Sequence, residues 1–364
     1  MAWATAFEGR TILVTGGAGF IGSRVSRFLA SAAPGAHVVA MDNLRRRGAE
    51  FNLASLAADA VTFVHGDVRV ADDFPQPARP LALIVDCSAD PSVQAGMRGE
   101  SRFVVDTNLG GTVNCLELAA RHRADLIFLS TSRVYPVAAL NGIAVEETPT
   151  RFALSAGQVQ PGVSDQGVSE GFELNGVRSL YGATKLASEL LIAEYAALYD
   201  LRFVVNRCGV VTGPGQFGKV DQGVFALWMA RHFFGDPLTY RGWGGTGKQL
   251  RDLVHVDDLC ELLAAQLSQW DRVAGRTYNV GGGSTVSLSL SECTDLCRDI
   301  TGREVPIGSD LATSPLDVRA YVTDASRVAN DTGWRPRTSA RDTLVQIHQW
   351  LQADTDRLRQ IFHA

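Results

Sequence analysis

The sequence has no apolar run long enough to cross a lipid bilayer, and it shows no internal repeat or low-complexity segment. The chain also lacks an excess of positive charge: its formal net charge is -5, and its single basic block is Arg45 to Arg47. We therefore expect neither nucleic acid nor a membrane as a partner. The first residues lack a basic stretch followed by an apolar core, so we expect a cytoplasmic protein without a signal peptide.

Metal ligands are too dispersed to predict a metal site. The six cysteines stand in separate apolar segments, and no histidine near Cys293 and Cys297 completes a ligand set. We expect free thiols and no bound metal. The composition, with 46% apolar and 20% charged residues, is ordinary for a soluble enzyme, and the length of 364 residues favours two lobes.

A predicted strand, a glycine-rich turn and a predicted helix stand near the start of the chain. Thr11 to Val14 is a β-branched apolar run, and the glycines that follow it precede a segment with helical spacing. In this arrangement the first glycine permits a tight turn, the second lets a pyrophosphate approach the backbone, and the third lets the helix pack closely. Free N–H groups at the helix start favour the anion. The candidate cofactor-binding residues here are Gly16, Gly19, Phe20, Ile21 and Gly22.

A carboxylate at the end of the second predicted strand indicates which dinucleotide is bound. The strand, His37 to Met41, ends in Asp42, about twenty residues after Gly22. A carboxylate there suits the two ribose hydroxyls of NAD and repels the 2′-phosphate of NADP, so we expect NAD. NADP stays open as the alternative, because Arg45 to Arg47 follow closely and are able to hold a phosphate. The candidate cofactor-binding residues of this segment are Asp42, Asn43 and Arg46.

Further strands alternate with helices and predict a doubly wound parallel sheet. Val61 to His65, Leu81 to Val85 and Asp125 to Leu129 are strand-like, and Asp106 to Arg121 has the spacing of an amphipathic helix. In such sheets ligands bind beyond the carboxyl ends of the strands. Polar or small residues near these ends are therefore cofactor candidates, although Asp67 also fits an ordinary polar strand end: Asp67, Val68, Ser88, Ala89 and Asn108.

These patterns predict an α/β protein with a Rossmann-type doubly wound parallel sheet and a smaller C-terminal substrate lobe. We assign residues 1–207 to an NAD-binding domain that is completed by about 254–280. Residues 208–253 and 281–364 form the predicted substrate-binding lobe. Residues 149–178 lack a clear period, and we interpret them as a flap beside the active site, with a surplus surface loop as the alternative.

A tyrosine and a lysine stand four residues apart at the start of a helix predicted to run to about Tyr199. Tyr181 and Lys185 therefore lie on one helix face, and a hydroxyl cluster at Ser130 to Ser132 follows the fifth strand. Removing hydride from an alcohol carbon requires a base at the hydroxyl oxygen. Free tyrosine titrates at about pH 10. Since a nearby ammonium group and the positive nicotinamide ring favour the phenolate, we expect the pKa of Tyr181 to be lowered.

Together these motifs resemble the extended short-chain dehydrogenase/reductases that modify nucleotide sugars, the NAD-dependent epimerase/dehydratase family. The resemblance is carried by TGGAGFIG, Asp42, Thr131 and YGATK, and it extends from about Arg10 to about Trp350. It implies that Tyr181 is the acid/base, that Lys185 tunes it and holds the nicotinamide ribose, and that Thr131 hydrogen-bonds the reacting oxygen. It also implies a nucleotide-sugar substrate and a homodimer formed through a helix bundle. Near the substrate it places Ser132, Arg133, Arg207, Gln216, Phe217, Asp221, Gln222, Arg251 and Arg319.

The two residues after Thr131 narrow the reaction that this resemblance implies. Dehydratases of the family carry an Asp-Glu pair there, and the related decarboxylases carry a glutamate at the second position. This chain has Ser132 and Arg133 instead. The remaining reactions are epimerisation with retained NAD and simple oxidation or reduction.

Four stretches are most similar to the CDP-paratose (CDP-tyvelose) 2-epimerases: 42–53, 179–185, 215–223 and 317–324. This similarity implies a CDP-hexose 2-epimerase that oxidises carbon 2 and returns the same hydride to the opposite face of the ketone. The alternatives are a UDP-sugar 4-epimerase, an NAD-dependent nucleotide-sugar dehydrogenase or reductase, and a non-catalytic NAD-binding scaffold. The chain departs from the family pattern at Asp86, Pro136, Thr212 and Ser314, the last of which stands where an arginine is expected.

Overall fold

A seven-stranded parallel sheet forms the centre of the molecule. The structure, a computed structural model, describes residues 2–94, 96, 99–218 and 222–362. The strands are β1 (Thr11–Thr15), β2 (His37–Asp42), β3 (Thr62–His65), β4 (Leu81–Asp86), β5 (Asp125–Thr131), β6 (Val145–Glu147), β7 (Phe152–Leu154), β8 (Val163–Ser164), β9 (Gly167–Val168), β10 (Phe203–Cys208), β11 (Val210–Thr212), β12 (Leu238–Arg241), β13 (Leu250–His255), β14 (Arg276–Val280), β15 (Ser287–Ser289), β16 (Ile307–Asp310) and β17 (Ala320–Tyr321).

The order of strands in this sheet is β14-β10-β5-β4-β1-β2-β3. The chain fills one half of the sheet outward from β1 and then returns to fill the other half from β4, so the order reverses between these two strands. All six pairings in the sheet are parallel. The predicted Rossmann-type doubly wound sheet is confirmed, and its switch point lies where ligands bind in such folds.

Helices cover both faces of the sheet. They are α1 (Phe20–Ala32), α2 (Leu53–Ala58), α3 (Ser101–Val105), α4 (Gly111–His122), α5 (Val137–Asn141), α6 (Leu180–Tyr199), α7 (Val224–Phe234), α8 (Val256–Ser268), α9 (Trp270–Val273), α10 (Leu290–Thr301), α11 (Ser326–Thr332), α12 (Ala340–Ala353) and α13 (Thr355–Phe362). In β1, Ile12 and Val14 pack into the core that includes α1 and α8, whereas Leu13 packs into the core that includes α4 and α6. Both faces are buried, which explains why the strand is apolar at successive positions.

The long helix predicted from Asp106 begins earlier and is interrupted. α3 is followed by a wider π-helical turn, Asp106–Gly110, before α4 begins at Gly111. A Cβ on Gly111 would lie 2.7 Å from Cγ2 of Val68, so this glycine lets the helix approach the segment after β3. Gly111 therefore has a close-packing role, whereas a Cβ on the adjacent Gly110 would meet nothing within 4 Å among the described residues outside its own helix.

A second core lies beside the carboxyl ends of the main sheet. It is built on α7, α10, α12 and α13, and a smaller sheet pairs β13 with β11, β15 and β17. A capping box between Ser289 and Glu292 starts α10. β14, although late in the chain, pairs with β10 and extends the main sheet.

Residues 149–178 pack against the body of the protein rather than over its cavity. Val163, Val168 and Phe172 form a small core with Tyr135 and Tyr321. None of the described residues from this segment lines the cavity described below. The predicted flap is therefore wrong, because its apolar residues find partners in a satellite core.

None of the helices that the structure describes is both long enough and apolar enough to cross a membrane. The six cysteines are free thiols, five of them buried.

Candidate active site

A cavity of about 1680 Å³ opens at the carboxyl ends of the main sheet, between the sheet and the second core. Its wall includes the glycine turn after β1 and the residues that follow β5. The opposite wall includes residues of α7, β12 and β13. The volume exceeds that of an ordinary ligand pocket, which is about 300 to 1,000 Å³, so two ligands side by side fit its size.

The glycine turn forms a cradle in which side chains are excluded. Gly16 has φ +62°, and a Cβ there would lie 3.0 Å from the backbone of Cys87 and Ser88. A Cβ on Gly22 would lie 2.1 Å from the carbonyl oxygen of Gly16, so only glycine allows α1 to pack on the turn. Gly19 lines the cavity, and a Cβ there would meet only the carbonyl oxygen of Gly16 within 4 Å, which leaves its cavity side open. These residues fit a pyrophosphate at the N-terminus of α1.

Asp42 lies on the cavity wall at the end of β2. Its carboxylate accepts hydrogen bonds from the backbone N–H of Ala18 at 3.1 Å and of Leu44 at 2.8 Å, which hold it against the glycine turn. Burial raises the pKa of Asp42 above its usual range, and these N–H groups oppose the shift. The placement fits recognition of ribose hydroxyls.

The three arginines after β2 all contact other protein groups. Arg45 lies over the ring of Phe103 at 4.1 Å. Arg46 donates to Gln222 Oε1 at 2.7 Å and to the carbonyl oxygen of Phe217 at 2.9 Å. Arg47 donates to a carbonyl oxygen in α13. Asp42 is thus the charged group set against the glycine turn, which favours NAD over NADP.

The predicted catalytic residues converge on one wall of the cavity. Thr131 ends β5, and its hydroxyl oxygen accepts the backbone N–H of Arg133 at 3.2 Å. Tyr181 stands in the first turn of α6, which Ser179 caps by accepting the N–H of Gly182 at 3.1 Å. A Cβ on Gly182 would lie 2.0 Å from the carbonyl oxygen of Arg133, so this glycine allows the helix start to reach the end of β5. Thr131, Tyr181 and Lys185 all line the cavity.

Lys185 is held by groups from β4, β5 and the loop after β4. It is 1% exposed, its Nζ donates to the carbonyl oxygen of Ser88 at 3.3 Å, and it lies 4.3 Å from the ring centre of Phe128. Burial lowers the pKa of Lys185, and the charge of Asp86 opposes this most strongly. Asp86 is itself buried and accepts hydrogen bonds from Thr15, Ser88 and Thr112. A buried carboxylate thus supports the charged form of the lysine.

The acidity expected for Tyr181 is not produced by the chain's own groups. Burial raises the pKa of Tyr181 to about 12, and this effect outweighs the hydrogen bond to Thr131 and the charge of Arg133, which lower it. The lowering predicted for the NAD-bound site stays a prediction, and the protein residues alone shift this pKa in the other direction. With such a pKa the phenol stays protonated at neutral pH.

Two arginines and one carboxylate line the substrate-facing part of the cavity: Arg133 from the side of the catalytic residues, and Arg251 and Asp317 from across it. Arg251, on β13, donates to Asp317 Oδ1 at 3.2 Å. Arg133 donates to the carbonyl oxygen of Leu316 at 3.3 Å. Burial and the charge of Arg251 lower the pKa of Arg133 to about 10, so its guanidinium remains charged at neutral pH. This part of the cavity is suited to an anion.

The family model that matches residues 12–281, most of the chain, is the NAD dependent epimerase/dehydratase family. The chain belongs to this family. It is therefore an enzyme, and its cofactor is NAD. The glycine cradle and Asp42 are the parts of this epimerase/dehydratase that fit the cofactor.

Relatives of this epimerase/dehydratase include both reaction types. CDP-paratose 2-epimerase of Salmonella typhi is 29% identical over 355 residues, 93% of this chain and 98% of the relative. dTDP-glucose 4,6-dehydratase of an Actinoplanes species is 30% identical over 352 residues, 94% of this chain and 98% of the relative. The solved dTDP-glucose 4,6-dehydratase DesIV of Streptomyces venezuelae, which has NAD bound, superposes with a TM-score of 0.77 at 27% identity, covering 96% of this chain and 99% of that one.

Most of the predicted site residues of this epimerase/dehydratase lie together on the cavity wall. The cofactor candidates found there are Gly16, Gly19, Phe20, Ile21, Gly22, Asp42, Asn43, Arg46, Val68, Ser88, Ala89, Tyr181 and Lys185. The substrate candidates found there are Ser132, Arg133, Gln216, Phe217, Gln222 and Arg251. Asp221, also predicted near the substrate, lies outside the described residues.

Two cofactor candidates are not on the wall. Asp67 accepts hydrogen bonds from Asn43 at 2.9 Å and from Arg69, and the wall beside it is formed by Gly66 and Val68. Asn108 is fully buried, and its side chain bonds both backbone groups of Asp90 and the hydroxyl of Thr184. Direct cofactor contact by these two residues stays a prediction, and in this structure their polar groups hold neighbouring loops.

Two of the three arginines predicted to bind the diphosphate are also absent from the wall. Arg207 forms a buried ion pair with Glu189 at 2.7 Å, and Glu189 also accepts from Ser130 at 2.5 Å. Arg319 donates to the carbonyl oxygens of Asn141 and Ile143 at 3.2 and 3.3 Å. Their contact with the diphosphate stays a prediction: the guanidinium of Arg207 is fully paired inside the protein, whereas Arg319 keeps a buried Nε without a hydrogen-bond partner among the described residues.

Sequence reasoning missed several residues of the wall, including Arg231, Arg241 and Asp90. Arg241 lies in the glycine- and aromatic-rich stretch 238–247, and that composition was the available signal for a ligand-facing loop. Asp90 directly follows the small residues after β4. Arg231 stands on an apolar helix, and nothing local distinguishes it from a surface arginine. Among the described residues no group of three metal-ligating side chains occurs.

Proposed function

We propose that this enzyme is a nucleotide-sugar epimerase that keeps its NAD, and that its substrate is a CDP-hexose epimerised at carbon 2. The observation that carries the proposal is the meeting of Thr131, Tyr181 and Lys185 on one cavity wall, with Arg133 beside them. The similarity to a CDP-paratose 2-epimerase along nearly the whole chain supports the choice of nucleotide and carbon. The residues on the wall that were predicted to bind cofactor or substrate are proposed to do so.

The chain's own residues have separate roles in the proposed reaction. Bound NAD supplies the hydride acceptor and donor. Tyr181 takes the proton of the sugar hydroxyl during oxidation and returns one during reduction. Thr131 hydrogen-bonds the reacting oxygen and orients it towards Tyr181. Lys185, held by Ser88 and supported by Asp86, supplies a fixed positive charge and holds the nicotinamide ribose. Burial raises the pKa of Tyr181 to about 12 although Lys185 is in place, so Tyr181 needs positive charge beyond that of the chain's own residues to act as a base.

Loss of water is disfavoured by the residues that follow Thr131. A dehydratase needs a further acid and base beside the hydride-transfer site, and here the two positions hold a serine and an arginine. With its pKa at about 10, Arg133 remains protonated at neutral pH and cannot remove a proton from carbon. Asp317, the carboxylate beside it, is paired with Arg251. We therefore favour epimerisation over the dehydratase reaction of other relatives.

Turnover with no added NAD tests the proposal. The purified enzyme is incubated with CDP- and UDP-hexoses, and the products are identified by NMR. We expect a 2-epimer of the CDP-sugar at unchanged mass. With substrates deuterated at carbon 2 or carbon 4, we expect slower turnover only for the carbon-2 label and retention of that label in the product. Loss of one water from the product would identify a dehydratase instead.

Two alternatives have distinct outcomes in the same experiment. A UDP-sugar 4-epimerase gives the isotope effect at carbon 4 and prefers the uridine nucleotide. A nucleotide-sugar dehydrogenase or reductase consumes one added cofactor for each product formed. A non-catalytic scaffold is no longer an alternative, since the chain is an enzyme of the family.

The proposed assembly is a homodimer formed through α6. Leu190 and Leu198 stand about two helical turns apart and are 64% and 71% exposed. Such a row of large apolar residues is typical of an interface. Light scattering tests this: Leu190→Glu with Leu198→Glu is expected to give a monomer, whereas Leu311→Glu, at an equally exposed leucine outside α6, leaves the assembly unchanged.

We also propose the domain division and the location that the sequence predicts. The pairing of β14 with β10 supports assigning 254–280 to the NAD-binding domain of 1–207, with 208–253 and 281–364 as the substrate lobe. The six free cysteines support a reducing, cytoplasmic location.

A further inference from the structure

Arg133 is the charged residue nearest in sequence to Thr131, which is predicted to hydrogen-bond the reacting oxygen. Its backbone N–H is bonded to the hydroxyl oxygen of Thr131 at 3.2 Å, and its carbonyl oxygen packs against Gly182 at the start of α6. The side chain lines the cavity together with Tyr181. The base of this side chain is therefore tied to both groups that handle the reacting hydroxyl.

The charge around Arg133 is incompletely neutralised by the protein. Among the residues that the structure describes, no carboxylate oxygen lies within 4.0 Å of its guanidinium nitrogens, although such pairs exist for Arg207 and Arg251. Arg251 and Arg133 repel each other, and the carboxylate between them, Asp317, is hydrogen-bonded to Arg251. Two guanidinium groups thus share one carboxylate. A buried charge without a partner is costly, so this arrangement favours an anionic ligand.

The direction of the side chain shows where that anion lies. The guanidinium of Arg133 donates to the carbonyl oxygen of Leu316 at 3.3 Å, so it reaches the cavity loop that contains Ser314 and Asp317. Ser314 stands where the sequence resemblance led us to expect an arginine. Arg133 therefore brings a guanidinium to this loop from the opposite side, the side of the catalytic residues.

We infer that Arg133 binds the phosphate attached to the sugar, and that this contact selects the carbon beside the anomeric carbon as the reacting one. The inference rests on the proposed nucleotide-sugar function. In a nucleotide sugar the sugar-linked phosphate is on carbon 1, so the hydroxyl on carbon 2 is its immediate neighbour. Carbon 4 lies across the ring. The backbone of Arg133 is anchored at Thr131, so a phosphate bound by its side chain suits a reacting hydroxyl on the neighbouring carbon 2 better than one across the ring.

Nucleotide binding by the NAD-loaded enzyme tests the contact without turnover. Calorimetry is used to compare CMP with CDP, UMP with UDP, and dTMP with dTDP, because only the diphosphate of each pair carries the phosphate assigned to Arg133. We expect Arg133→Gln to weaken binding of the preferred diphosphate about tenfold to hundredfold, the effect of one charged hydrogen-bonding pair. Binding of its monophosphate is expected to change by less than about threefold.

Matched variants separate this effect from a folding defect. Arg133→Lys keeps the positive charge and is expected to recover part of the diphosphate affinity. Arg298→Gln, at an exposed arginine paired with Asp295, is expected to leave both affinities unchanged. The inference is overturned if Arg133→Gln weakens mono- and diphosphate equally or weakens neither, or if the wild type binds no diphosphate more tightly than its monophosphate.

The choice of carbon has its own readout. In the isotope experiment, a slowing at carbon 4 would overturn the carbon assignment even if Arg133 proves to bind the phosphate. Conversely, a chain that loses diphosphate affinity in Arg133→Gln but epimerises no sugar would refute the proposed function and leave the phosphate contact standing. The failures of the two proposals are thus distinguishable.

Discussion

Two arginines in this protein, Arg207 and Arg251, were both predicted from the family resemblance to lie near the diphosphate, and the fold uses them differently. Arg207 lies under the carboxyl end of the main sheet in an ion pair with Glu189, in which both side chains are 7% exposed. Arg251 lies across the cavity and shares Asp317 with a second guanidinium, that of Arg133. The first arrangement is balanced by the protein itself, and the second is left with excess positive charge. The comparison teaches that local charge balance distinguishes a structural arginine from a ligand-binding one.

The catalytic wall lies between these two regions and shares features with both. The charge of the buried Asp86 stabilises the protonated form of Lys185, as the carboxylate of Glu189 stabilises the charge of Arg207. Tyr181 instead faces the cavity, where the nearby Arg133 acts to lower its pKa. Residues below the wall should therefore affect stability when changed, and residues on it should affect binding or turnover.

The largest effect on stability is expected when the buried ion pair of Arg207 loses its carboxylate, so that Arg207 carries excess positive charge as Arg133 and Arg251 do. Glu189→Gln leaves Arg207 buried without its carboxylate, and we expect the free energy of unfolding to fall by about 3 to 5 kcal/mol. Denaturant unfolding followed by circular dichroism measures this. Asp299→Asn, which removes an exposed partner of Arg341, serves as the control and is expected to cost less than about 1 kcal/mol. Equal losses in both variants would contradict the comparison.

On the catalytic wall we expect a loss of turnover without a loss of stability. Tyr181→Phe removes the group that handles the hydroxyl proton, and kcat is expected to fall at least about a hundredfold. The NAD content, measured after denaturation, is expected to be unchanged. Full activity in this variant would remove Tyr181 from the mechanism.

A smaller, pH-dependent effect is expected at Asp252, the neighbour of Arg251 on the opposite face of β13. Asp252 is fully buried, and burial raises the pKa of its carboxyl to about 6. Between about pH 4 and 6 the folded protein holds a proton that the unfolded chain releases, so stability falls as pH rises through this window. Asp252→Asn is expected to remove this fall and to add up to about 3 kcal/mol at neutral pH. Unfolding curves that keep the wild-type pH dependence would contradict it.

The smallest effect is expected at Arg319, which sharpens the distinction between structural and ligand-binding arginines. Arg319→Met removes hydrogen bonds to two loop carbonyl groups, and we expect a loss of stability of about 1 to 2 kcal/mol. Affinity for the preferred nucleoside diphosphate is expected to stay within about threefold of the wild type. A tenfold weaker affinity, measured by calorimetry, would return Arg319 to the substrate site.

The parts of the site that could be predicted are those whose geometry is local. Gly16, Gly19 and Gly22 stand in one turn, and Tyr181 and Lys185 are one helical turn apart, so spacing along the chain decides how they face. The positions of Asn108 and Arg207 away from the cavity wall could not be predicted, for the opposite reason. Their partners, Thr184 and Glu189, are distant in sequence or lie on another element, and no local pattern shows that these polar groups are already satisfied.

The amino-acid sequence by itself determined the strand–turn–helix elements, the glycine cradle with Asp42, and the pairing of Tyr181 with Lys185. Short-range sterics and helical periodicity are sufficient for each of these. Only the tertiary structure decided which arginines keep their charge for a ligand, how acidic Tyr181 is, and that residues 149–178 are packed away from the cavity. These properties depend on burial and on partners that distant parts of the chain bring together, and electrostatic energy is set by that environment.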